Sequence, residues 1–522
     1  MVEGHRVSPP RSRPAAQHSR ARTPREGEPV SATPGPRADP VHPTSPMAGQ
    51  YRVVTIALVT LTTMVAFETM AVTTAMPSAA AELGAVGSYG LAFSSMMTAM
   101  LLGNVLAGSW ADRYGPLRGM YAGQSAFALG IVVCAVAPSW GLLLAGRVIA
   151  GLGAGLLIVT EFVAVGRVYP AALRPKVFTW ISAAWVLPSV LGAPAAGFIA
   201  EAFTWRWVFG VILAPAVLTA LLITARRRAL DTGPGSPVEP ESGLEAEGPA
   251  LDAAGSAPPR PDARPAAVPL GAGVAVSAGL VQLAINEQSN GGPWVAWTVA
   301  AATIGLFGIA LFAPRLVPPG TVRAARGLPA VILSRGLFNA SFMASVTFLP
   351  LLLVQVYGLS LPAAGLVVAT GAIGWASGSW LQGRVPITTT AGRARLVWLG
   401  ASALALATLG LAHAASIDAI VPVYAVWVAL CGLGMGTGST TLSVLVLELA
   451  PEQEHGQASA ALQLSDVLGS VLGIAGATAV FGAGYQPGDP GVFVVISAGL
   501  AAVAALAVVT GRRCALAPAP AR

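Results

Sequence analysis

The chain has 522 residues, of which 54% are hydrophobic and only 10% charged, with a formal net charge of +7. A soluble domain carries about a quarter charged residues, and a transmembrane barrel alternates apolar and polar residues in segments of about ten. Here the apolar runs continue unbroken over about 20 residues, enough to cross a hydrocarbon core about 30 Å thick, so the expected fold class is an all-α polytopic membrane protein.

The basic excess lies in the tails and short connections, which argues for membrane orientation and against a nucleic-acid partner. Cys134, Cys431 and Cys514 show no metal-ligand spacing, no nucleophile elbow or phosphate loop accompanies the histidines, and no soluble nucleotide domain is evident. The expectation is a non-enzyme with no cofactor and no metal.

In chain order, residues 1–50 are rich in Pro, Arg and Ser and lack the apolar core of a signal peptide. They are expected to form a disordered cytoplasmic tail, with Met47 as an alternative start. Six spans are predicted near 53–76, 89–109, 119–137, 141–165, 178–200 and 207–225, making an N-terminal bundle over 51–228. A Pro-, Gly-, Ser- and acid-rich stretch over 229–268 cannot bury enough apolar surface to order itself and reads as a cytoplasmic linker. Two further spans, near 270–287 and 294–314, occupy 269–316. Six more, near 329–355, 361–382, 396–413, 420–446, 457–482 and 491–511, make a C-terminal bundle over 329–511, and 512–522 is a cytoplasmic tail. The 60 glycines suit close helix approach.

With the N-terminus inside, Arg113, Arg118, Arg174, Lys176, Arg226 to Arg228, Arg323, Arg326, Arg384, Arg393, Arg395, Arg512 and Arg513 fall on one side. The opposite connections hold mostly acids, Glu82, Glu201, Glu287, Asp418 and Asp489, with Arg206 as the main exception. This asymmetry places both termini in the cytoplasm of a cell with the chain in its inner membrane.

Charged groups inside apolar spans are the candidate sites, because each is costly unless paired, hydrated or neutralised. Glu68 lies in FETMAVTTAMP of the first span, with Pro77 expected to mark that span's end. It reads as a proton-coupling acid, a substrate contact or a structural hydrogen-bonding group. Arg147, in LLLAGRVIAGLGAG, needs a partner or a water-filled cavity, and reads as part of a proton relay or as a fixed charge pair. Glu161 lies about 21 Å further along the same helix and cannot reach Arg147; a gate or a salt bridge to another helix, or a substrate contact, is expected. Asp466, in ALQLSDVLGS, is either a second protonation or cation-binding group or a structural, hydrogen-bonded one.

Between the second and third spans stands GSWADRYGPLR, with Gly108, Asp112, Arg113, Gly115 and Arg118 in a tight turn. Its glycines permit close contact and a sharp reversal, and Asp112 can meet the next helix's N-terminus or an arginine. This loop resembles the signature of the major facilitator superfamily. The six, two and six layout resembles that superfamily's fourteen-span drug/proton antiporters, which carry two extra helices between two six-helix halves.

That resemblance implies proton coupling through Glu68 and Arg147 with Gly151, Gly153 and Gly155 following, and a loop gate. It also implies a hinge or packing kink at Gly192, Pro194 and Gly197 in WVLPSVLGAPAAGF, a partial match to the antiporter pattern. WRWVF, Trp205 to Phe209, stands where an aromatic belt is expected. Pro116 and Leu117 depart from the loop pattern, which often has another basic residue there.

The function implied is export of small amphipathic compounds by alternating access, with protons, substrate and bilayer as partners and a monomeric chain. One charge crossing about 150 mV yields about 3.5 kcal/mol, so ATP is not required. Import or export of a dedicated metabolite or siderophore, and a sensor or scaffold role using the acidic linker, are the alternatives.

Overall fold

The computed structural model describes residues 45–170, 173–230, 267–289, 296–384, 387, 389–451 and 454–515. Most of the expected N-terminal tail, most of the linker and residues 516–522 lie outside the described residues. The first six long helices are α1 (Gly49–Glu82), α2 (Leu91–Tyr114), α3 (Pro116–Ala135), α4 (Trp140–Val168), α5 (Arg174–Ala202) and α6 (Trp205–Ala225), followed by a single turn, α7 (Arg227–Leu230). Then come α8 (Ala267–Ser289) and α9 (Ala296–Leu316). The last six are α10 (Leu328–Gln355), α11 (Leu361–Arg384), α12 (Thr390–Ser416), α13 (Val421–Leu449), α14 (His455–Gly484) and α15 (Gly491–Gly511). Among the described residues fourteen helices, all but α7, are long and apolar enough to span a membrane. Among the described residues there is no strand.

Two expectations are corrected. Pro77 does not end the first helix, which continues to Glu82. A proline leaves the carbonyl four residues earlier without its amide donor, and here the Tyr89 hydroxyl lies 3.2 Å from the Thr73 carbonyl, offering a substitute. The aromatic belt at Trp205 to Phe209 is only half realised. Trp207 is exposed, but Trp205 and Phe209 are buried in the core, and Trp205 spends its indole N–H on Glu82 at 2.8 Å. The same carboxylate receives Arg206 at 2.6 Å, which pairs the main basic exception to the charge asymmetry with an acid.

The two halves repeat one packing scheme. In the first, α4 packs on α2 and α3, α1 on α5 and α6, and α3 on α6; in the second, α13 packs on α11 and α12, α10 on α14 and α15, and α12 on α15. Glycine spacing explains the tightest of these contacts. A methyl at Gly151 or Gly155 would strike backbone of α2, and one at Gly153 backbone of α3; likewise Gly432 and Gly436 abut α11 and Gly434 abuts α12. The sequence repeats accordingly, Gly-Leu-Gly-Ala-Gly at 151–155 and Gly-Leu-Gly-Met-Gly at 432–436, a signal the sequence reading passed over.

Between halves, α5 meets α11 and α14 meets α2, the exchange a pseudo-two-fold relation requires. These seams close at the end remote from the chain termini. There a Cβ on Gly197 would lie 2.6 Å from Leu361, and one on Gly365 2.6 Å from the Ala193 carbonyl. The Tyr89 hydroxyl also lies 2.9 Å from the Thr347 carbonyl of α10. One apolar core, including Tyr89, Phe93, Phe348, Phe481 and Val492, runs through both halves at that end. Toward the termini the C-terminal half keeps a separate core around Ala330, Val397, Leu442 and Ala458. Thr179, on the same face of α5 as Gly197 about five turns earlier, is exposed. The α5–α11 seam is thus closed at the remote end and exposed toward the terminal end at Thr179, whereas α2 and α14 also meet nearer the middle, where Leu101 packs with Leu464, Val467 and Val471. The α8–α9 pair lies outside this seam, with α8 against α2 and α14.

Candidate functional site

Glu68 of α1 and Arg147 of α4 form a buried ion pair. Glu68 is 0% exposed and Arg147 2%, so neither charge is screened by solvent and each depends on the other. Arg147 Nε also donates to the Ala92 carbonyl of α2 at 2.7 Å. Glu68 Oε1 takes the arginine, while Oε2 is buried with no hydrogen-bond partner. Arg147 lies about 10 Å from the remote end of α4, so the pair sits behind the closed seam. Thr69 bonds within its own helix, to the Val65 carbonyl at 2.9 Å.

Glu161 corrects one expectation: among the described residues it makes no salt bridge. Its Oε1 instead accepts from the Thr62 hydroxyl of α1 at 2.6 Å, and the residue is buried. It lies about 10 Å from the terminal end of α4, a second buried acid facing α1 from the other side of the membrane mid-plane. Nearby, the Thr55 hydroxyl meets the Tyr169 hydroxyl at 2.8 Å. Burial pushes that phenol up to about 12, so this clamp between α1 and the end of α4 stays neutral at physiological pH.

In the C-terminal half, Asp466 of α14 accepts from Arg335 of α10 through both oxygens, at 2.8 and 2.9 Å, and from Asn339. Arg335 also donates to the Ser439 carbonyl of α13 at 2.8 Å. The side chains are 15% and 19% exposed, so this pair, unlike the first, is partly open to its surroundings. Arg335 escaped the sequence reading although a lone arginine in an apolar run obeys the same cost rule as Arg147. A bidentate charge-assisted pair is worth more than a neutral bond. Asp466→Asn is expected to lose about 1.5–3 kcal/mol, read as a lower unfolding temperature in detergent; an unchanged transition overturns this account.

The loop after α2 is built as a tight reversal. Gly115 holds φ at 79°, a left-handed conformation that side chains resist, and Pro116 opens α3 at its first turn. Arg113 and Arg118 both lie over the Tyr114 ring, at 5.7 and 5.9 Å, a contact the sequence did not announce. The surroundings of Gly108 and the side chain of Asp112 are outside what is described. On α5, Gly192 faces Met70 of α1 and Gly197 faces α11, with Pro194 between them, so this stretch bears on a seam between the halves. No group of three or more His, Cys, Asp or Glu suited to a metal occurs among the described residues.

Comparison with known proteins accords with this architecture. Over 164 residues the chain is 30% identical to a "probable multidrug-efflux transporter" of Mycobacterium tuberculosis (strain CDC 1551 / Oshkosh), covering 31% of this chain and 34% of that protein. Over 168 residues it is 26% identical to the multidrug efflux pump SdrM of Staphylococcus aureus (strain N315), covering 32% and 38%. The match thus spans about a third of the length of these curated relatives. A crystal structure of a peptide transporter POT in complex with sulfate superposes with a TM-score of 0.61 at 16% identity, covering 89% of this chain and 96% of that one, which is a likeness of fold. The model of the Major Facilitator Superfamily matches residues 58–474. Paired six-helix halves, fourteen apolar helices among the described residues and that match together identify the chain as a multi-pass membrane protein of the Major Facilitator Superfamily.

Proposed function

We propose that the chain is a proton-coupled antiporter that exports small amphipathic compounds. The observation that carries this reading is Glu68: a carboxylate sealed from solvent, ion-paired through one oxygen and without a partner on the other. Such a group changes its bonding when it takes a proton, because the neutral acid no longer holds Arg147 as a counter-charge. The names of the relatives, multidrug efflux proteins, support drug export.

The arginine asymmetry puts the terminal end in the cytoplasm. The geometry described, with the α5–α11 seam exposed there and closed at the remote end, then corresponds to the state that loads substrate while Glu68 is ionised. In the cycle proposed, the remote end opens and Glu68 Oε2 takes a proton from outside. The charge pair is lost and substrate leaves. After return, the proton passes to the cytoplasm and the pair re-forms. Asp466 with Arg335, partly open to its surroundings, is the proposed contact for a charged part of the substrate, and Glu161 is a second acid, facing the terminal side. The turn from Gly108 to Arg118 is the proposed gate, and Gly192, Pro194 and Gly197 the proposed hinge.

Everted membrane vesicles containing the chain and acidified inside are expected to accumulate ethidium or a related amphipathic cation severalfold over vesicles lacking it. A protonophore should abolish that accumulation. Uptake that ignores the protonophore overturns the coupling, and no uptake across a panel of dyes and antibiotics overturns the substrate class.

A further inference from the structure

Between α2, α4 and α8, in the remote half of the bundle, lies a cavity of about 400 Å³, within the range of small-ligand sites. Leu91 and Ser95 of α2 form one wall, Leu144 and Val148 of α4 another, and α8 from Val276 to Asn286 the third. The ten steps from Val276 to Asn286 along α8 rise about 15 Å, half of a hydrocarbon core about 30 Å thick. The cavity therefore has the depth of one leaflet.

Its polarity follows the same axis. The mid-plane end is Val276, Gly279 and Leu280, and the outer end carries Gln282 and Asn286, with Glu287 exposed just beyond. Val276, Leu283 and Val148, all lining residues, are exposed, so the cavity opens sideways and continues the apolar surface that the bilayer covers.

One observation about the wall points to an occupant, and it concerns Gly279; the polar Gln282 is spent within the protein, donating to Thr98 at 2.8 Å. The other interior glycines of α8 sit close against neighbours, Gly271 on Val105 and Gly273 on Phe312, but a Cβ at Gly279 meets nothing within 4 Å. Glycine costs about 1 kcal/mol against alanine inside a helix, and here no helix contact requires it.

We propose that this groove binds one acyl chain of a membrane phospholipid, its methyl end toward the mid-plane and its ester end toward Gln282 and Asn286. The inference rests on the fold and the cavity, independent of what the chain transports.

The test is native mass spectrometry of the full chain, purified in detergent after reconstitution into bilayers of phosphatidylethanolamine and phosphatidylglycerol. The unsubstituted chain is expected to retain one phospholipid under detergent conditions that strip the rest. Gly279→Phe, which fills the groove from α8, should weaken retention about tenfold or more, a change of about 1.4 kcal/mol in binding, with an unchanged size-exclusion profile. Should Gly279→Phe fail to fold, Ala145→Phe fills the groove from α4 and is read the same way. Equal retention by the filled and unsubstituted chains, retention of no phospholipid, or a detergent mass in its place overturns the proposal.

Discussion

Glu68→Gln is expected to fold, reach the membrane at normal abundance and lose transport driven by a pH gradient down to background. Glutamine keeps the shape, and its carbonyl oxygen still accepts from Arg147, which meets the carboxylate at Oε1. It cannot alternate between charged and neutral forms, so the step that exchanges a proton for substrate has no carrier. Movement of substrate down its own gradient should survive, because the apolar walls and the seams between halves are untouched. Measured in proteoliposomes with the pH gradient and the substrate gradient imposed separately, retained pH-driven transport would remove Glu68 from the coupling role. Loss of both kinds of movement would instead mark it as a structural or substrate-binding group.

Arg147→Met should have the largest effect on stability. It strands the Glu68 carboxylate, 0% exposed, without its counter-charge, and removing one partner of a buried pair costs about 3–5 kcal/mol. The neutral isostere also deletes the donor to the Ala92 carbonyl. Adding Glu68→Gln should recover much of the loss, since the stranded charge is then gone. The unfolding transitions of the two single variants and the double one form a cycle, and a coupling energy at or above about 1.5 kcal/mol is expected. Additive losses, or a melting curve for Arg147→Met matching the unsubstituted chain, would show that the two residues act independently.

Much of this molecule was legible from its residues. Unbroken apolar runs can satisfy their backbone groups in lipid only as helices, so the fourteen spans followed from hydropathy alone, and the boundaries of α10 and α15 were placed to within a residue. Gly115 announced the turn between α2 and α3, because glycine alone takes up a left-handed conformation without steric cost. Charges in apolar runs flagged Glu68, Arg147, Glu161 and Asp466 through their desolvation cost.

Their partners were another matter. Arg147 meets Glu68 across 79 positions of chain and Asp466 meets Arg335 across 131, and helix periodicity carries no information about which face of one helix meets which face of another. The same holds for Tyr89, whose hydroxyl reaches carbonyls of both α1 and α10. Likewise, the Gly-Leu-Gly repeats of α4 and α13 are visible in the sequence, but packing alone shows them to be equivalent. The sequence by itself determined that this is a fourteen-helix membrane protein with costly charges inside it, because length, hydropathy and desolvation are local properties. Only the tertiary structure decided which charges pair, at which end the α5–α11 seam is closed and where α8 leaves a groove against α2 and α4, because those depend on the docking of faces far apart in the chain.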